Sequence, residues 1–342
     1  MKNIVNSLSP VLISMAIVLG ACGCGKSESD SPSTQPSAVG SKQIAVIAKS
    51  TVNAYWKAVE SGAKQAAAEE KVTIIWTGPD SETNHTQQAN MVDNMVSRGV
   101  AGIVIAPTNV DALVRPIESA VARGVPVVLI DSSLHSDKPV SSISTDNYAA
   151  GKQAAEALAK AIGDKKPFGG KVVMLRFLEG SGSTEAREKG FAEGIKAAGL
   201  QLVDSAYTKG GGSTTDAADT ADALLRRHIK DNAIQVDGIF ASNQPTAIGM
   251  LRKLQQFKAG GTKIDAPFVG FDAHEVLLAG IRSGEVAAIV SQDPKQMGYL
   301  GVKTMMAHLA GQKVEPSVAT SVATVTKDNI DKPEIKAITL EN

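Results

Sequence analysis

From Gln43 onward the chain alternates between two textures. Short runs rich in Val and Ile, QIAVIA, VTIIW, AGIVIA and PVVLID, are separated by longer segments of Ala, Glu, Lys and Gln at helical spacing. Strands that are apolar at nearly every position are buried on both faces, and joining parallel neighbours takes a helix's length of chain. The alternation predicts parallel sheets with crossover helices on both faces. After residue 147 it begins again, with KVVMLRF, LQLVDSA, VDGIFAS and APFVGFDA as strands and 184–198, 214–230 and 244–257 as helices. That many strands is too high a count for one small sheet.

The two halves also echo each other. VAGIVIAPTNVDAL leading to PVVLID in the first is matched by VDGIFASNQPTAIG leading to PFVGFD in the second. The expectation is α/β architecture in two similar, doubly wound parallel-sheet lobes. In each lobe a strand that starts on Pro ends on an aspartate, Asp131 in one and Asp272 in the other. Open α/β sheets bind ligands beyond the carboxyl ends of their strands, so facing lobes bring these carboxylates to a cleft from opposite sides. The segment STVNAYWKAV belongs to the same edge and gathers Asn53, Tyr55 and Trp56 in a chain that is only 4% aromatic. Trp56 also shares a helical face with Val59, Ala63 and Ala67, so periodicity alone leaves it between core and cleft.

Composition narrows the function classes. Lys and Arg balance Asp and Glu at 35 each and are scattered, so there is no basic footprint for a nucleic acid. Cys22 and Cys24 are the only cysteines, which leaves the folded part without disulfides, thiolate nucleophiles or thiolate metal ligands. Histidines 85, 135, 228, 274 and 308 are dispersed and form no H-E-x-x-H. EGSGST lacks the lysine of a P-loop, and no G-x-S-x-G elbow is present. Nothing here assembles a catalytic constellation, a metal site or a cofactor site. Before the globule, Lys2, the apolar stretch Val11 to Val18 and LGAC read as a lipoprotein signal over 1–21 with Cys22 as the lipidated residue, and 22–41 as a flexible tether.

Carboxylates, amides and flat rings suit a sugar, whose hydroxyls need donors and acceptors while its C–H faces pack on aromatics. The ordered motifs VNAYW, APTN, VVLID, STDN, AREKG, IFASN, VGFD and SQDPKQMG resemble the periplasmic monosaccharide-binding proteins of ABC importers, in the ribose, allose and galactose group, from about Lys42 to Val325. The resemblance implies a type I fold whose lobes, 42–145 plus 293–320 and 146–292 plus 321–342, are joined by a three-segment hinge. The crossings fall near Thr145–Asp146, just after Gln292 and near Thr320. It implies that Asn53 donates near the sugar ring oxygen, that Tyr55 and Trp56 pack on one ring face, and that Asp131 and Asp272 accept from hydroxyls. Arg187 would fork onto sugar oxygens, although read without the resemblance it is a helix-surface residue beside Glu185 and Glu188. Asn243, otherwise an ordinary helix cap, and Gln292 complete the polar ring, and Lys49 stands where allose-type members place a lysine.

Three positions depart from the ribose-type pattern. Ser132 stands where a second arginine is expected, Ala106 replaces an amide, and the second aromatic cover is missing at Gly210, Gly211 and Gly212, leaving Tyr207 or another ring to substitute. The implied protein is a periplasmic, membrane-anchored monomer that hands a pentose or hexose to ABC permease subunits and needs no cofactor or metal. The other readings are a chemoreceptor-coupled sugar sensor and a secreted sugar-processing enzyme using two carboxylates across the cleft. A regulator of the lac-repressor type would need an N-terminal helix-turn-helix where the signal and tether stand.

Overall fold

The computed structural model describes residues 42–163 and 169–339; the expected signal, Cys22 and the tether lie outside the described residues. The first half runs β1 (Gln43–Ile47), α1 (Ala54–Glu70), β2 (Thr73–Thr77), α2 (His85–Ser97), β3 (Gly102–Ile105), α3 (Val114–Ala122), β4 (Val127–Ile130), β5 (Ser141–Ser144) and α4 (Asn147–Ile162). The second half repeats the scheme with β6 (Lys171–Arg176), α5 (Gly182–Ala197), β7 (Gln201–Tyr207), α6 (Thr214–Arg226), the short pair β8 (Ile229–Lys230) and β9 (Ala233–Ile234), and β10 (Gly238–Ala241). It continues through α7 (Gln244–Ala259), β11 (Phe268–Phe271), α8 (Glu275–Ser283), β12 (Ala288–Gln292) and α9 (Pro294–Leu309) to β13 (Ser317–Ala319), β14 (Val322–Val325) and α10 (Pro333–Thr339).

One sheet has the order β13-β5-β4-β3-β1-β2 and the other β14-β12-β11-β10-β6-β7. Strand for strand these are the same order, so the duplicated lobes expected from the repeat are the architecture. Pairing within the sheets is parallel except for β14, which runs antiparallel to β12. Side-chain alternation places Ile44 and Val46 of β1 in one core layer and Ala45 and Ile47 in the other, while Val172 and Met174 of β6 oppose Val173 and Leu175 in the same way. Both faces are therefore covered by helices, as the unbroken apolar runs require.

The helix expected over 214–230 stops at Arg226. Ile229 and Lys230 pair with Ile234 and Ala233 instead, across Asp231 and Asn232 at φ 50° and 53°. Asp and Asn tolerate this left-handed backbone, and two such residues make the tight turn that ends the helical reading.

The chain passes between sheets three times: from β5 towards β6, from β12 towards α9, and from β13 to β14. At the first two passages a helix changes lobe. α9 buries Met297, Val302 and Met305 against β1, β3 and β4, and α4 buries Ala150, Ala154 and Leu158 against β6, β10 and β11. Each of these helices lies tightly on a partner through glycine. A Cβ on Gly62 would lie 1.9 Å from the Lys295 carbonyl oxygen and one on Gly298 2.0 Å from that of Val59, which joins α1 to α9. Gly151 and Gly190 stand in the same relation to the carbonyl oxygens of Arg187 and Tyr148, at 1.9 and 2.0 Å, which joins α4 to α5. Among the described residues no helix is long and apolar enough to cross a membrane.

Candidate functional site

Asp131 and Asp272 occupy equivalent places just beyond β4 and β11. Both have left-handed backbone, at φ 65° and 67°, and both donate their N–H across to the neighbouring strand end, to Ile143 O at 3.0 Å and Val290 O at 2.8 Å. Aspartate is among the few residues that accept this conformation, and the turn it makes aims the side chain off the sheet edge. The repeated motif has thus produced the same geometry twice, with the two carboxylates facing one cavity between the lobes.

The residues to which the resemblance gave a ligand role all line that cavity: Lys49, Asn53, Tyr55, Trp56, Asp131, Arg187, Asn243, Asp272 and Gln292. Several of them also bond to one another. Asp131 takes the Tyr55 hydroxyl on Oδ1 at 2.8 Å and the Lys49 ammonium on Oδ2 at 2.7 Å. Burial pushes its carboxyl upward, but Lys49, the Tyr55 hydroxyl and Arg187 together outweigh that and hold it below the usual range. Burial drives the Tyr55 phenol well up, with Asp131 next to it adding in the same direction. Asp272 accepts from the Gln244 N–H at 2.9 Å and from Gln292 Nε2 at 2.7 Å. Here burial prevails over Arg187 and these two donors, and the carboxyl is raised.

Arg187 is not on a helix surface. It is 1% exposed, stacks on Phe271 at 3.5 Å, and donates to the Ser242 carbonyl and to Asn147 Oδ1. Burial lowers its pKa against the pull of Asp272 and Asp131. Its Nε, together with Gln292 Oε1, is buried without a hydrogen-bond partner among the described residues. Buried polar atoms are rarely left in that state, and both belong to side chains lining the cavity. Asn53 and Asn243 are the caps of α1 and α7, accepting from Trp56 N and Thr246 N. Capping uses Oδ1 and leaves each Nδ2 as the group able to donate elsewhere. Trp56 does both things its periodicity allowed: it packs with Val59 and Ala63 and lies edge-to-face with Tyr55 at the cavity wall.

A family model for the periplasmic binding protein domain matches residues 44–313. The chain belongs to the periplasmic binding protein family. It is similar to the ribose import binding protein of Escherichia coli K12, 28% identical over 301 residues that cover 87% of this chain and 95% of that protein. A carbohydrate transporter solute-binding protein from Agrobacterium radiobacter, solved with D-arabinose, superposes with a TM-score of 0.80 at 34% identity, covering 88% of this chain and all of the other. An ABC transporter solute-binding protein from Agrobacterium vitis with bound D-fucose gives 0.79 at 36% identity, with 86% and 99% covered.

Several cavity residues of this periplasmic binding protein escaped the sequence reading: Glu82, Phe177, Ser181, Ser183, Thr184 and Gln244. Phe177 ends the segment KVVMLRF at the carboxyl edge of β6, the position that singled out the aspartates, and could have been found by the same rule. It brings a further ring to the cavity wall. A Cβ on Gly212 would lie 3.0 Å from the Phe177 ring, so the glycine segment backs this ring rather than replacing one. Tyr207 stacks on the Arg176 guanidinium at 3.9 Å and is not part of the cavity wall. EGSGST supplies hydroxyls rather than a phosphate cradle: Ser183 accepts from Lys49 Nζ at 3.1 Å and from the Ser132 hydroxyl at 3.0 Å, both on the opposite lobe. Ser132 therefore joins the lobes where an arginine was expected. Ala106 is buried, and its carbonyl accepts from Gln88 Nε2.

Proposed function

We propose that the protein captures a monosaccharide, a pentose or hexose, between its lobes and delivers it to the permease of an ABC importer. The observation that carries the reading is the convergence of two equivalent aspartates, a buried arginine and an amide on one cavity, with Arg187 Nε and Gln292 Oε1 still wanting partners there. A ring hydroxyl is both donor and acceptor and serves either atom. Trp56, Tyr55 and Phe177 supply apolar surface beside these polar groups, against which the C–H face of a sugar can pack. The D-arabinose and D-fucose carried by the two Agrobacterium proteins support the same ligand class.

Binding acts by differential affinity. The contacts from Lys49, Tyr55 and Asp131 on one side and Arg187, Asn243 and Asp272 on the other act on one ligand only with the lobes together, so the ligand draws the population to the closed form that a permease can recognise. We place the lobe boundaries at Thr145–Asp146, after Gln292 and near Thr320, with lipid attachment at Cys22 tethering a monomer to the membrane on the periplasmic side. The direct test is a thermal-shift screen of the full chain against D-arabinose, D-fucose, D-ribose and D-allose. A ligand at a thousandfold its Kd adds about 4 kcal/mol of stability and raises the midpoint by several degrees. No shift with any sugar, confirmed by calorimetry, removes the reading.

A further inference from the structure

We propose that Glu82 is a ligand-contacting residue whose Oε2 accepts a hydrogen bond from a ligand hydroxyl, and whose charge makes the cavity select neutral sugars over sugar acids. This rests on the sugar-binding reading and narrows it to a class of sugar.

Glu82 lies in the loop after β2, at the carboxyl edge shared by the other cavity residues. The loop is held in place from both sides: Asp80 N donates to Gln87 Oε1 at 2.9 Å, and the Ser81 hydroxyl donates to the Gly211 carbonyl of the opposite lobe at 2.9 Å. Trp56 Nε1 donates to Glu82 Oε1 at 3.0 Å and fixes the carboxylate's direction. Oε2 has no hydrogen-bond partner among the described residues, although the side chain lines the cavity. Burial pushes this carboxyl up, with Lys49 and the indole N–H pulling the other way.

The charge inventory of the wall then has a direction. Glu82, Asp131 and Asp272 face Lys49 and Arg187. Lys49 is committed to Asp131 at 2.7 Å, and Arg187 is the cation acting on Asp272. Glu82 is the carboxylate without an ion pair among the described residues, and Lys49 acts on it only alongside Asp131. An acceptor-only group facing the cavity gains from a hydroxyl donor, whereas an anionic guest adds like charge in a region poor in water. Trp56 acts here as a positioning residue, through the oxygen it holds.

Isothermal titration of the full chain decides the matter, with D-arabinose, D-fucose and D-ribose as neutral probes and D-arabinonate and D-galacturonate as acids. We expect the best neutral sugar to bind at least about tenfold more tightly than either acid. Glu82→Ala weakens that sugar by about fivefold or more, while Glu82→Gln, which keeps an acceptor, narrows the neutral-to-acid ratio. Trp56→Phe also weakens binding, and its effect is smaller in the Glu82→Ala background, which a role of the ring independent of Glu82 would not produce. Ligand-free thermal midpoints check folding; should Glu82→Ala misfold, the Glu82→Gln ratio decides. Affinity for the neutral sugar that Glu82→Ala leaves within about fivefold, an unchanged ratio in Glu82→Gln, or an acid that binds wild type as well as the sugar overturns the assignment while leaving sugar binding intact. A folded wild type that binds no neutral probe removes the sugar reading itself, and Glu82's role with it.

Discussion

Asp272 concentrates the conflict between stability and binding in one side chain. Its carboxyl is buried and raised in pKa, so the folded state holds a proton more tightly than the unfolded chain does. Stability from this group is therefore lost as pH rises from the unfolded value, about 3.9, through the folded one. Asp272→Asn is neutral in both states and tolerates the φ of 67°. Gln292 can turn its amide to offer the partnerless Oε1 to the new amide N–H. We expect the ligand-free midpoint of Asp272→Asn to exceed wild type by a margin that grows as the pH rises above about 4 and levels off once the folded carboxyl has titrated, with sugar affinity at least about tenfold lower. A margin that shrinks with pH in calorimetric scans counts against the raised carboxyl. Asp131 has the opposite sign: its depressed carboxyl adds stability at neutral pH that is lost as acid titrates it through its folded value. Asp131→Ala should thus both abolish most binding and flatten the acid limb of the stability curve, since it strands Lys49 in a buried place.

At the scale of elements, the packing of α4 on α5 decides whether Arg187 is where it is. Gly151 meets the Arg187 carbonyl oxygen itself, so an added methyl has backbone to push and nowhere to go. Gly151→Ala should cost about 1–3 kcal/mol in urea unfolding and weaken sugar binding through displaced α5. Gly260→Ala is the matched control: its Cβ would meet nothing nearer than 3.4 Å and the backbone φ is −77°, so the change should stay within about 0.5 kcal/mol. Equal costs for the two would show that the close approach of the helices carries no strain. The elements themselves were legible in advance because strand runs and helical periodicity are local. Where α6 gave way to the β8–β9 pair, the local helical preference of LLRRHIK lost to a turn and to pairing, and only the partner strand reveals that.

For the molecule as a whole, the proposed closure would draw on the hydrogen bonds that link the lobes beside the cavity. Ser183 takes hydrogen bonds from Lys49 and Ser132 across the cleft, and Val110 N donates to the Gly180 carbonyl at 3.0 Å beside them. Ser183→Ala should shift the population towards open forms, lowering sugar affinity several-fold; small-angle scattering should then need more ligand to reach the compact radius. A titration that superimposes on wild type removes Ser183 from the closing mechanism. What sequence alone determined were the features written in neighbouring residues: the order of strands and helices, the duplication, and the paired strand-end aspartates, because side-chain period and terminal residues act over a few positions. Tertiary structure decided which lobe α4 and α9 cover, that Arg187 is buried rather than solvated, and that Phe177 and Glu82 reach the cavity. Each of these depends on surfaces brought together from distant parts of the chain, and burial by a remote partner leaves no periodic trace in the segment it buries.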